Sequence, residues 1–198
     1  MHAVDADDLP GAEALLSEAS QSAVDLRDPR LTAHLRRVEA TLAAARRDHA
    51  QAFALYQESF ALYRELGDAW MAGIVEWTVG VSATVLGRFE EARAHFAACL
   101  TNGLDLGNRW GVPYPLEAFA VLALAEHQYE RGAKLLGAAE ALRASFGMSP
   151  APAAHPALLA LISSASAALA TPEAAAARNA GRAMSFKEAI AFALAAGS

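Results

Sequence analysis

The sequence predicts an all-α fold of stacked antiparallel helix pairs, on three observations: a forty-residue recurrence, an excess of alanine, and Gly/Asp punctuation at the unit ends. Leu66-Gly67-Asp68 followed by Trp70 returns as Leu106-Gly107-Asn108 followed by Trp110, with Leu26-Arg27-Asp28 before and Phe146-Gly147 after. Small residues recur at Ala40, Gly80 and Ala120, and again at Ala43, Ala83 and Ala123. A second small set stands at Ala12, Ala52, Ala92 and Gly132. Each of these is followed four residues on by a large residue: Leu16, Tyr56, Phe96 or Leu136. Such self-similarity marks supersecondary units that bury an apolar face only by stacking on neighbours. Alanine, the best intrinsic helix former, gives the 55% apolar content without many large side chains.

The elements follow in order. A half-unit, Gly11–Leu26, matches a second helix with no first helix before it. First helices are predicted over Leu31–Arg46, Ala69–Leu86 and Trp110–His127, and second helices over His49–Leu66, Phe89–Leu106 and Tyr129–Phe146. Asp68 and Asn108 are N-caps, because their short side chains accept from otherwise unbonded backbone N–H groups. Gly67, Gly107 and Gly147 stand where a left-handed C-terminal cap is needed. Gly or Ala at a crossing lets two helix axes approach, and the large residue fills the adjacent groove. Pro150, Pro152 and Pro156 then break the register. A helix over 157–170 follows, then a short one with Thr171 as N-cap and Pro172 in its first turn. Last comes Phe186–Ala196, opened by a Ser185/Glu188 capping box. The repeat array thus occupies 1–148, as a half-unit over 1–28 and units at about 29–68, 69–108 and 109–148, with a helical C-terminal cap over 149–198.

Bulk properties narrow the function. The formal charge of −6 and pI near 5.5 oppose general affinity for nucleic acid or anionic membranes. The longest nearly apolar stretch, Ala157–Ala170, is too short to span a bilayer. The acidic N-terminus lacks the pattern of a signal peptide, and the single cysteine, Cys99, fits a reducing compartment. A cytoplasmic location is expected. Neither lysine, Lys134 or Lys187, follows a glycine, so no phosphate-cradling loop exists. The six histidines lack metal-ligand spacing, Cys99 sits at a small repeat position, and Glu58, Glu90 and Glu91 read as solvated charge. No catalytic, cofactor or metal residue is expected, and the chain is read as not an enzyme. The basic stretch Arg27, Arg30, Arg36, Arg37, Arg46 and Arg47 is read as solvated, with Arg46 and Arg47 complementing a helix C-terminus; contact with an acidic partner is the alternative. Trp70 and Trp110, at one repeat position, are read as packing residues.

Gly80, Ala83, Gly87, Phe89, Ala92 and Phe96 fall at the signature spacing of the tetratricopeptide repeat, which the chain resembles. Ala120, Ala123, Tyr129, Gly132 and Leu136 match in the third unit, and Ala40, Ala43, Ala52 and Tyr56 in the first. The period of forty rather than thirty-four, and a Leu-Gly-Asp turn in place of the family's proline, depart from it. Longer units of this kind resemble those of bacterial signal-transducing ATPases and LuxR-type, MalT-like regulators. The tail is similar to the closing segment of actinobacterial regulators of that class: Leu135-Leu136-Gly137-Ala138-Ala139-Glu140-Ala141-Leu142-Arg143, then Gly181-Arg182-Ala183-Met184-Ser185-Phe186-Lys187-Glu188. The resemblance implies a right-handed superhelical solenoid of about three and a half pairs. It implies a non-catalytic protein-interaction or sensor module from the C-terminal region of a transcriptional regulator or signalling ATPase. A free-standing adaptor or small-molecule receptor is the alternative.

In tetratricopeptide arrays the first helices line the concave face, which places His34, Arg37 and Thr41, then Ile74, Trp77, Val81 and Thr84, then Tyr114, Glu117, Val121 and Leu124 on it. This strip suits a protein or peptide partner, or an apolar small ligand, in a groove; cover by the C-terminal helices is the competing use. No direct nucleic-acid or membrane partner is expected. The half-unit leaves Leu9, Ala12, Leu15, Leu16 and Ala19 in a stripe without a neighbour. A weak homodimer through that end, or origin from a longer protein, is therefore expected.

Overall fold

The computed structural model describes residues 28–149 and 156–195, together with residues 11, 16, 18 and 19. The half-unit and its apolar stripe lie otherwise outside the described residues, as do Pro150 and Pro152. The described chain is all-helical, with ten α-helices and no strand among the described residues. Packing divides the chain into two compact units, Met1–Ser82 and Ala83–Ser198.

A single device ends six successive helices. Arg47, Gly67, Gly87, Gly107, His127 and Gly147 have φ between 62° and 73° and stand twenty residues apart. At each, the left-handed residue's N–H bonds back to a carbonyl three residues earlier, as in Gly67 N–H to Arg64 O at 3.0 Å. The next residue's N–H reaches five back, as in Asp68 N–H to Tyr63 O at 3.0 Å. This double closure satisfies carbonyls that a helix end leaves free. Its spacing shows that the forty-residue unit is two structurally equivalent halves. Glycine adopts this backbone freely, whereas Arg47 and His127 hold it despite a side chain.

In the first unit, α1 (Pro29–Ala45), α2 (His49–Glu65) and α3 (Ala69–Val85) follow one another, the division between units falling within α3. Asp28, Asp48 and Asp68 cap them, accepting from Arg30 N–H at 2.9 Å, Gln51 N–H at 3.0 Å and Met71 N–H at 3.1 Å. The α1–α2 pair is antiparallel. Thr41 meets Tyr56 near the turn, and Ser59 Oγ donates to Ala33 O at 2.8 Å far from it. Ala33, Ala40, Ala43 and Ala52 are buried at this crossing, beside Phe53 and Tyr56.

The second unit holds α4 (Phe89–Asp105), a 3₁₀ turn over Arg109–Gly111, α5 (Pro113–Ala125) and α6 (Tyr129–Ser145). Then come α7 (Pro156–Ser164), α8 (Ser166–Leu169), α9 (Pro172–Arg182) and α10 (Phe186–Leu194). The helix expected from Trp110 begins instead at Pro113. Pro113 and Pro115 carry no N–H for the carbonyls of Arg109 and Gly111, so the turn before them tightens, with Val112 N–H bonded to Arg109 O at 3.3 Å. The helix expected over 157–170 breaks at Ala165, where the Ser164 hydroxyl has folded back onto Leu161 O at 2.7 Å. The short helix opened by Thr171 runs for eleven residues. The Ser185/Glu188 capping box forms in both directions.

Helices α5 and α6 pack closely because α6 has Gly132 at the crossing. A Cβ there would meet Leu124 Cδ2 at 2.6 Å and Ala120 O at 3.1 Å. Phe96 and Phe119 meet edge to face, 5.7 Å between ring centres, joining α4 to α5. The tail motif is an intramolecular dock between α6 and α9. A Cβ on Gly137 would collide with the Arg178 carbonyl, and one on Gly181 with that of Lys134. Glu140 of α6 receives both Arg178 and Arg182, the latter through Nη2 at 2.8 Å. Arg131 donates to the carbonyls of Phe192 at 3.0 Å and Ala195 at 2.7 Å, closing the C-terminus of α10.

Candidate functional site

In the second unit, the residues expected on the groove are mostly inside. Glu117, Val121 and Leu124 of α5 are buried, as is Thr84, while Tyr114 is exposed. Helices α7 and α10 pack on α5, so the cap covers part of the face expected to be open. Glu117 is held in a two-pronged pair by Arg143 of α6: Nε faces Oε1, and Nη2 lies 2.9 Å from Oε2. Both side chains are 4% exposed. The Arg143 guanidinium also lies under the Tyr114 ring, 4.8 Å from its centre. The hydrogen bond that Arg143 donates to Glu117 raises the Arg143 pKa, fixing the cation. Nothing in the sequence links positions this far apart except the register, and the register placed Glu117 on the groove without naming Arg143.

The tryptophans differ from their expected packing role. Trp110 stacks on Phe146, ring centres 5.1 Å apart, yet is 60% exposed, and Trp70 is 61% exposed. Trp70 stands in the first turn of α3, and Trp110 in the 3₁₀ turn that precedes α5.

In the first unit, His34 and Ile74 are exposed, Arg37 and Trp77 are half-buried, and Val81 is fully buried. The basic stretch is not uniformly solvated. Arg30 pairs with Asp68, and Arg36 with Glu39 at 2.6 Å and Glu58 at 3.1 Å. Arg37 sits instead among hydroxyls and a ring nitrogen. Its charge reaches Tyr63, Tyr56 and His34. Its Nε is buried without an acceptor. Thr41 Oγ1 gives its proton to Arg37 O at 3.0 Å, so the 3.1 Å bond with Tyr56 has the tyrosine as donor. Burial raises the pKa of both tyrosines above the ordinary value. Desolvation and the Arg37 charge lower that of His34, so the imidazole stays neutral at neutral pH. Arg37 and His34 lie three residues apart and Thr41 one further turn on, which puts all three on one face of α1.

Among the described residues no cluster of His, Cys, Asp and Glu could hold a metal, and no helix is long and apolar enough to cross a membrane. Cys99 is half-buried. Glu90 is solvated, and Glu58 is exposed beside Arg36. No protein-family model matches the chain, and neither a curated protein nor a solved structure matches it.

Proposed function

We propose that the chain is a non-catalytic interaction or sensor module, a tetratricopeptide-like solenoid closed by a helical cap, from the C-terminal region of a bacterial transcriptional regulator or signalling ATPase. The observation that carries this reading is the twenty-residue repetition of one helix and one turn, from Arg47 to Gly147. A sequence that spends its regularity on identical units builds a long surface rather than one enclosed catalytic pocket. The ligand surface lies on the first unit, around Arg37, Ile74 and Trp77, because the cap occupies α5 of the second. The partner is a peptide or a small molecule with an apolar body. A right-handed superhelix and a cytoplasmic location belong to the same reading.

Two measurements test it. In the source genome, the reading frame upstream of Met1 should continue into a nucleotide-binding ATPase; an upstream stop codon would remove the regulator. Ile74→Asp and Trp77→Ala should each leave the melting temperature near that of the parent while abolishing ligand-dependent output of the parent protein. Retained output in both would remove the surface.

A further inference from the structure

A helix shorter than about twelve residues is held in water only by the surface it packs on. Helix α10 has nine residues, and its buried side chains are two alanines, Ala189 and Ala193, each 1% exposed. They stand four apart, on the face that packs against α5 and α6. Helix α9 is fixed differently, by backbone against backbone at Gly137 and Gly181 and by Glu140 with Arg178 and Arg182.

What else holds α10 is a set of cations. Arg109 lies 4.5 Å from the Phe186 ring centre, and Arg131 and Lys134 lie 4.8 and 4.6 Å from that of Phe192. Arg131 also donates to the carbonyls of Phe192, Ala193 and Ala195 at the helix end. Among the described residues none of these three cations pairs with a carboxylate. Glu126, whose charge reaches Arg131, is held by Arg93 at 2.7 and 2.9 Å. Phe192, Arg131 and Lys134 line an open cleft of about 980 Å³ between α6 and α9, so both cations are reachable from solvent. Glu130 and Glu173 stand on its walls, exposed and paired with neither.

We propose that α10 is an autoinhibitory lid. On α5 and α6 it occupies the seat of a partner's amphipathic helix, one with small residues four apart and a carboxylate in its last turn. Ala189 and Ala193 show what the seat accepts. The carboxylate follows from the cations: between Glu188 and the helix end α10 has no acid, so Arg131 and Lys134 receive only carbonyls and a ring. A carboxylate bonded to a guanidinium or ammonium is held more strongly than either cation is by a half-exposed ring. That difference favours the partner against a lid whose short tether keeps its effective concentration high. The seat is apolar apart from Glu117, since α5 is buried from Leu116 to Leu124, so removal of α10 leaves a face that demands another cover. This lid goes beyond the ligand surface of the first unit and does not depend on it.

The test uses the full chain, as parent and as Ala189→Asp, which sets a charge into the seat and expels the lid while leaving α5 and α6 unchanged. The probes are an acetylated, amidated peptide of residues 184–195 and the same peptide with Ala195→Glu, three residues beyond Phe192 and on its face. Amide exchange in the parent should be at least about tenfold faster in α10 than in α5 and α6, as for a segment that opens by itself. The Ala189→Asp chain should keep α5 and α6 protected and bind the peptide at least about tenfold more tightly than the parent, in fluorescence anisotropy, because the tethered competitor is gone. The Ala195→Glu peptide should bind more tightly than the unaltered one. Exchange in α10 as slow as in α5, or loss of protection in α5 and α6 of the variant, would make α10 part of the core and overturn the lid. A folded variant that binds the peptide no better than the parent overturns the seat. An Ala195→Glu peptide that gains nothing overturns the acidic partner.

Discussion

At the scale of single residues, the buried pair of Glu117 and Arg143 contributes differently from the charges around it. Exposed pairs such as Arg88 with Glu91 at 3.7 Å add little, because water already solvates both partners. Glu117 and Arg143 are both out of water, so each depends on the other. Glu117→Gln should therefore destabilise the second unit by about 3–5 kcal/mol in denaturant unfolding, by leaving the guanidinium buried and unpaired. The double change Glu117→Leu with Arg143→Met should recover most of that loss, and a double variant no better than the single would show that the pair is stabilising in itself. Glu140 gives a pH signature. Burial pushes its carboxyl up, but hydrogen bonds from Arg178 and Arg182 outweigh this and hold it below the ordinary 4.5. A depressed folded-state pKa gives stability that is full above the unfolded value and lost as pH falls through the folded one. Melting temperature should thus fall on acidification below about 4.5, and Glu140→Gln should flatten that part of the curve.

At the scale of elements, the sequence was most legible where glycine and the capping side chains do the same job repeatedly. The second helices begin at His49, Phe89 and Tyr129 as read from the turns alone. What the forty-residue pattern hid was its own half-period, since Arg47 and His127 occupy a left-handed position that composition rules assign to glycine. The 3₁₀ turn before Pro113 was readable in principle from the missing N–H groups, but the recurrence of Trp110 with Trp70 argued for a continuous helix. The α6–α9 dock was visible only as a resemblance. Its glycines are contact residues, not turn residues, and nothing local distinguishes the two uses. Gly181→Ala should accordingly displace α9 from α6. The added methyl falls on a backbone carbonyl, which yields less readily than a side chain, so a loss of about 1–3 kcal/mol is expected in chemical denaturation. Stability equal to the parent would mean that the two helices slide apart freely.

At the scale of the whole molecule, repetition has a thermodynamic consequence. In an array each helix pair is stabilised by itself and its neighbours, so damage stays local, whereas a single globular core unfolds as one body. The division at Ser82 gives the place to look. Ala52 is 1% exposed at the α1–α2 crossing, and Ala52→Leu inserts volume there, weakening that pair by about 1–3 kcal/mol. The expected readout is native-state amide exchange. Amides of α1 and α2 should exchange roughly five- to hundredfold faster in the variant, the factor such a free-energy loss gives. Those of α5, α6 and α9, which belong to the other unit, should keep the parent rates. Val75 and Val79 of α3 are buried in the first unit, and their amides should show an intermediate change, because α3 runs into the second. Equal acceleration from α1 to α9 would instead show one cooperative body, and the twenty-residue repeat would then be a feature of the chain's geometry without being its unit of stability.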